Sequence, residues 1–167
     1  MRKIKDHKFK IGEIVVYPKH GVGEIKGIES IEIENIKTDF YVVQMEQNKL
    51  TIRVPLDKQD EVGLRKIASK QMLNKIINIL KLKPKIRRIM WSRRAQEYDT
   101  KIFSGDPIKI AEVIRDLFRK NNQPEQSYSE RQMFQVALER LAREIAAIEK
   151  TDYFQATEKI EHTLLNK

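Results

Sequence analysis

The chain has 167 residues, 40% of them hydrophobic and 34% charged, with a net charge of +9 and no cysteine. That length allows one domain or two small ones, and the composition suits a folded protein rather than a disordered one. The lack of cysteine excludes disulfides and thiolate metal sites and predicts a reducing compartment, while the short apolar runs exclude a membrane-spanning helix.

The N-terminus, MRKIKDHKFK, is basic but lacks the apolar core of a secretory signal. A cytoplasmic protein with no membrane partner is expected. Residues 9–55 then read as strands: FKIGEIVVYP, HGVGEIKGIESIEI, FYVVQMEQ and LTIRVP are short, roughly alternating and rich in Val, Ile, Tyr and Phe. Turn signals separate them at Pro18 to Gly23, Asn35 to Asp39, and Gln47 to Lys49. Four or five such strands predict a small, strongly bent, barrel-like sheet that leaves an edge strand available. The glycines of HGVGEIKG fit neither a P-loop nor a dinucleotide fingerprint, and are expected in turns between strands.

From residue 69 the period becomes helical. Ser69 caps a helix whose apolar face is Met72, Leu73, Ile76, Ile77 and Leu80. Pro84 interrupts, and a second helix is expected to cover the basic stretch and run to Ser104, with Gly105 as its stop. Asp106-Pro107 caps a third, with Ile110, Ala111, Val113, Ile114, Leu117 and Phe118 behind it. Ser127 and Glu130 form a capping box before a long helix burying Phe134, Ala137, Leu138, Leu141, Ala142 and Ile145. A last helix starts near Thr151-Asp152 and carries Phe154, Ile160 and Leu164. The fold class is therefore α+β: a β module over residues 1–66, followed by an all-helical module over 67–167.

Catalysis finds little support. His7, His20 and His162 lie far apart, without the partners of a metal site, and His20 is expected to shape a turn. No enzyme activity, metal or cofactor is expected. The charge, by contrast, is concentrated. Residues 81–94, KLKPKIRRIMWSRR, hold seven basic side chains and no acidic one, and the chain's only tryptophan. A helix there gains nothing from internal ion pairs, and binding phosphates would relieve its self-repulsion. On such a helix Arg87 and Arg94 stand one turn from Trp91, with Lys83 and Arg88 nearby. From the residues alone Trp91 is either an exposed aromatic flanked by guanidinium groups or a partly buried one packed with Ile86, Met90 or Tyr98.

These residues carry a resemblance. WSRR, SGD and AEVIRDLFRK (Trp91 to Arg94, Ser104 to Asp106, Ala111 to Lys120) resemble the helical domain of the CarD/CdnL family of bacterial transcription regulators. FKIGEIVVYPKHGVGEI and LTIRVP resemble that family's N-terminal RNA-polymerase-interacting domain, which also occurs in the transcription-repair coupling factor. The resemblance implies a Tudor-like barrel docked on the polymerase β subunit and a helical bundle meeting promoter DNA, acting as a monomer in the complex. It implies that Trp91 wedges into the minor groove at the upstream edge of the melted region, with Arg93 and Arg94 on the phosphates. Lys85, Arg87 and Arg88 join them as expected DNA contacts. Thr51, Ile52, Arg53 and Val54 form the expected strand that pairs with polymerase, with Arg53 supplying charge specificity. The chain departs from some relatives at Ile31, where they have a basic residue, and at Ala95 and Gln96, where they place an aromatic and a basic one. Two other classes compete: a basic RNA- or ribosome-associated binding protein, and a scaffold whose basic stretch meets an acidic protein.

Overall fold

The computed structural model describes residues 7–167; Met1 to Asp6, and with them most of the basic N-terminal stretch, lie outside the described residues. The chain divides into two compact units, one ending at Ile67 and the other spanning Ala68–Lys167.

The first unit is one antiparallel sheet of β1 (Ile14–Tyr17), β2 (Gly21–Ile33), β3 (Ile36–Met45), β4 (Thr51–Pro55) and β5 (Arg65–Lys66), in the order β4-β3-β2-β1-β5. Strand alternation builds its core: Tyr41, Val43 and Met45 of β3 turn inward to meet Val15, Ile25, Val54, Leu56, Leu64 and Phe9. The Phe9 amide donates to the Tyr41 hydroxyl at 3.2 Å, so the one polar atom of that buried ring is satisfied.

Two turn expectations need correction. The loop foreseen over Asn35 to Asp39 is only Glu34 and Asn35, both at positive φ (51° and 63°). Two residues of that kind make the hairpin turn whose twist matches the strands, so β3 starts at Ile36. Gly23 lies within β2, not in a turn. A Cβ there would fall 2.9 Å from Val43 Cγ1 and 3.0 Å from the Gln44 carbonyl oxygen, so glycine serves close approach of β2 and β3.

The second unit holds α1 (Lys70–Lys81), α2 (Trp91–Phe103), α3 (Pro107–Leu117), α4 (Tyr128–Glu149) and α5 (Tyr153–Leu165). α3 packs against α1, α2 and α4, and α5 closes on α1 and α4. Side-chain oxygens cap four of the five helices: Ser69, Asp106, Ser127 and Asp152 accept from the amides of Met72, Ile108, Glu130 and Gln155. Glu130 spends its carboxylate on Arg119 at 3.2 Å. The buried faces of α1, α3 and α4 follow the helical period, with Leu73, Ile76 and Leu80, then Ile110, Ala111, Val113, Ile114 and Leu117, then Phe134 through Ile145. Phe154 corrects the reading of α5, because it is 77% exposed. The buried stripe there is Ala156, Ile160 and Leu164, and a residue two positions before Ala156 falls on the opposite side of the helix.

Candidate nucleic-acid interface

The basic stretch is not helical. α1 ends at Lys81, Leu82 is already extended (φ −73°, ψ 157°), and helix resumes only at Trp91. Pro84 drives the residue before it out of helical geometry, and closely spaced cations offer a helix no compensating pair. The connection is nevertheless fixed. Lys167 Nζ donates to the carbonyls of Leu82 (2.8 Å) and Leu80 (3.4 Å). Further along, the Lys85 amide donates to Asp116 Oδ1 at 2.9 Å. Asp116 is buried and also receives Arg115 Nε at 2.8 Å, so the segment hangs on a carboxylate that is itself neutralised. Along this connection the side chains of Lys83, Lys85, Arg87 and Arg88 are exposed. They are displayed by an extended segment, not stacked on a helix face, so the expected one-turn spacing of Arg87 and Trp91 does not exist. Arg87 turns onto Glu97 of α2 at 2.5 Å, a compensating acid that no reading of the stretch itself could supply.

Trp91 opens α2. Met90 stands at the N-cap position without a side-chain hydrogen bond, and the first turn contains no acidic residue. The helix end therefore keeps free amide donors and an unopposed positive dipole, which favour an anion. Trp91 is half-buried, its ring 6.3 Å from that of Tyr98, while Met90 beside it is 77% exposed. The Arg94 guanidinium lies 5.4 Å from the Trp91 ring and 5.6 Å from the Tyr98 ring, and donates to the Tyr98 hydroxyl at 3.2 Å. Trp91 thus has one side braced by Arg94 and Tyr98 and another reaching solvent, combining both readings of the sequence. Arg88 and Arg93 are exposed and pair with no carboxylate among the described residues. With Ile89, Met90, Ser92 and Gln96 they line an open groove next to the tryptophan.

In the sheet unit, β4 is at one end of the strand order and, among the described residues, pairs only with β3. Thr51 and Arg53 are exposed, whereas Val54 is buried and Ile52 half-buried. The four expected polymerase contacts therefore divide into two outward side chains and two that offer backbone alone. Arg53 Nε holds Glu29 Oε2 at 2.8 Å, and that hydrogen bond and charge raise the guanidinium pKa further above its ordinary value. The hairpin tip adds a pair that the sequence reading missed: Ile33 and Ile36 face each other across β2 and β3 and are 60% and 64% exposed. Their signal was the alternation of Ile31 and Ile33 beyond the end of the buried pattern.

The His20 amide donates to the Tyr17 carbonyl at 2.9 Å, in the turn expected for it. Among the described residues no group of three or more His, Cys, Asp or Glu is placed to hold a metal, and no helix is long and apolar enough to cross a membrane.

Comparison with known proteins covers both units. Residues 75–161 match the family described as CarD, C-terminal domain, and residues 9–68 match the CarD-like/TRCF RID domain. A Bacillus subtilis (strain 168) protein named "Putative transcription factor YdeB" is 32% identical over 140 residues, which span 84% of this chain and 92% of that protein. A solved structure described as "CdnLNt from Myxoccoccus xanthus" is 40% identical and covers 41% of this chain and 96% of its own, with a TM-score of 0.33.

Proposed function

This chain belongs to the CarD family, and on that premise we propose that it is a transcription regulator in which the sheet unit docks on the β subunit of RNA polymerase and the helical unit braces melted promoter DNA. The observation that carries the DNA half is the head of α2, where a half-buried tryptophan, an unpaired Arg93 and an uncapped helix end meet. Phosphates on Arg93, Arg88, Arg87 and Lys85 fix position without reading sequence. Trp91 then fills the gap beside an unstacked base step at the upstream edge of the bubble, with Arg94 behind it. Contact made only with distorted DNA favours the open complex over the closed one; equal contact with both would shift nothing.

Docking uses the free edge of β4, where the backbone of Thr51 to Val54 adds a strand to a polymerase sheet. Arg53 exchanges Glu29 for an acidic partner as it docks. The role requires no catalysis, metal or cofactor, and one copy of the chain suffices, working in the cytoplasm on the nucleoid.

The protein should retain RNA polymerase from nuclease-treated lysate. Trp91→Ala should keep that retention but shorten open-complex lifetime about tenfold or more, since base stacking is worth roughly 1–3 kcal/mol. An unchanged lifetime removes the wedge. Retention of ribosomes or RNA in place of polymerase moves the assignment to the RNA-associated class.

A further inference from the structure

Behind Trp91 lies a partly enclosed cavity of about 50 Å³, lined by Lys85, Arg87, Arg94, Lys101, Tyr98, Glu97 and Asp116. We propose that it is a binding site for a tetrahedral oxyanion of the phosphate class.

Charge is the first argument. Among the lining groups, Arg87 is matched by Glu97 at 2.5 Å, Lys101 by Glu112 at 2.8 Å, and Asp116 by Arg115 at 2.8 Å. Lys85 Nζ and the Arg94 guanidinium have no carboxylate partner among the described residues. Two unmatched cationic residues are left in the lining of one small space, the complement of an anion.

Unspent donors are the second. Arg94 Nε is buried without a hydrogen-bond partner, which is costly for a charged group unless something accepts from it. The Tyr98 hydroxyl accepts from Arg94 and keeps its own proton to donate. Size is the third. A water needs roughly 10–15 Å³ of such volume, so the cavity holds about four small polar atoms, the oxygens of one phosphate or sulfate. A base or an aromatic ring does not fit.

Arg94 belongs both to the cavity wall and to the stack on Trp91, so occupancy would stiffen the tryptophan; that consequence rests on the DNA reading above, whereas the site does not. The oxyanion could be a free phosphate or phosphate ester, or a phosphate of the DNA backbone.

Trp91 is the chain's only tryptophan, so its fluorescence reports directly. Inorganic phosphate added to the free protein, without polymerase or promoter, should give a saturable change that chloride at matched ionic strength does not. Sulfate should compete. Tyr98→Phe and Lys85→Gln should each weaken phosphate binding by about tenfold or more, the size of one charge-assisted hydrogen bond. Lys109→Gln, on an exposed part of α3, should leave it unchanged. If Lys85→Gln lowers the melting temperature, Tyr98→Phe carries the test. Duplex DNA lacking terminal phosphates that displaces the bound phosphate would identify the backbone as its source; phosphate retained beside the duplex would identify a free anion. A response equal to that of chloride, or one undiminished in Tyr98→Phe, overturns the site.

Discussion

Asp116 connects the buried interior to the exposed basic segment, because its one carboxylate oxygen takes both Arg115 Nε and the Lys85 amide. Removing it strands Arg115, which is 4% exposed, and releases the basic segment. Breaking one partner of a buried pair costs about 3–5 kcal/mol, so Asp116→Ala should lower the denaturant midpoint strongly. Asp116→Asn keeps an acceptor oxygen and should cost less. Arg93 is the opposite kind of residue. It is exposed and unpaired, so Arg93→Gln should leave stability within about 0.5 kcal/mol while reducing the salt slope of DNA binding by about one unit. A slope that does not change would place the phosphate contact on another side chain.

At the scale of elements, α2 and β4 each leave undone what their neighbours complete. The other four helices have side-chain caps, but α2 starts on Met90 without one. Met90→Asp should therefore stabilise the fold by about 1 kcal/mol through a new cap. The same carboxylate would sit where a phosphate is to bind, so DNA affinity should fall as the melting temperature rises. A parallel rise in both would mean that the helix end is not the contact. Among the described residues β4 leaves one edge unpaired, and Arg53 stands exposed beside it. Arg53→Glu should leave the fold and the free protein's DNA affinity intact, placing only like charge next to Glu29 at the surface. Polymerase retention and the effect on open-complex half-life should both be lost; full activity would remove the edge from the docking surface.

For the whole molecule, the chain divides at Ile67 into two units, and on the proposed reading one of them tethers the other. On that reading a modest DNA contact would become effective once docking raised its local concentration over the promoter, without any new contact being made. Residues 1–67 alone should bind polymerase, compete with the full chain and fail to lengthen open-complex lifetime. Residues 68–167 alone should bind duplex DNA weakly, with steep salt dependence, and should also fail. Activity of either piece by itself would show that no tether is needed.

Amino-acid order alone determined the class of the fold, because the change from a period of two to a helical period near residue 69 and the caps Ser69, Asp106, Ser127 and Asp152 are local properties. It also marked Trp91 and its cationic neighbours, since composition needs no geometry. Pro84 marked the break after α1 in the sequence, but only the tertiary structure decided that residues 85–90 stay out of the helix, because the group that holds them, Asp116, is distant in sequence. It also decided which cations stay free: Glu97 and Glu112 neutralise Arg87 and Lys101, and Arg94 lies against two rings. Charge can be counted along a chain, but pairing depends on what folding brings within a few ångströms.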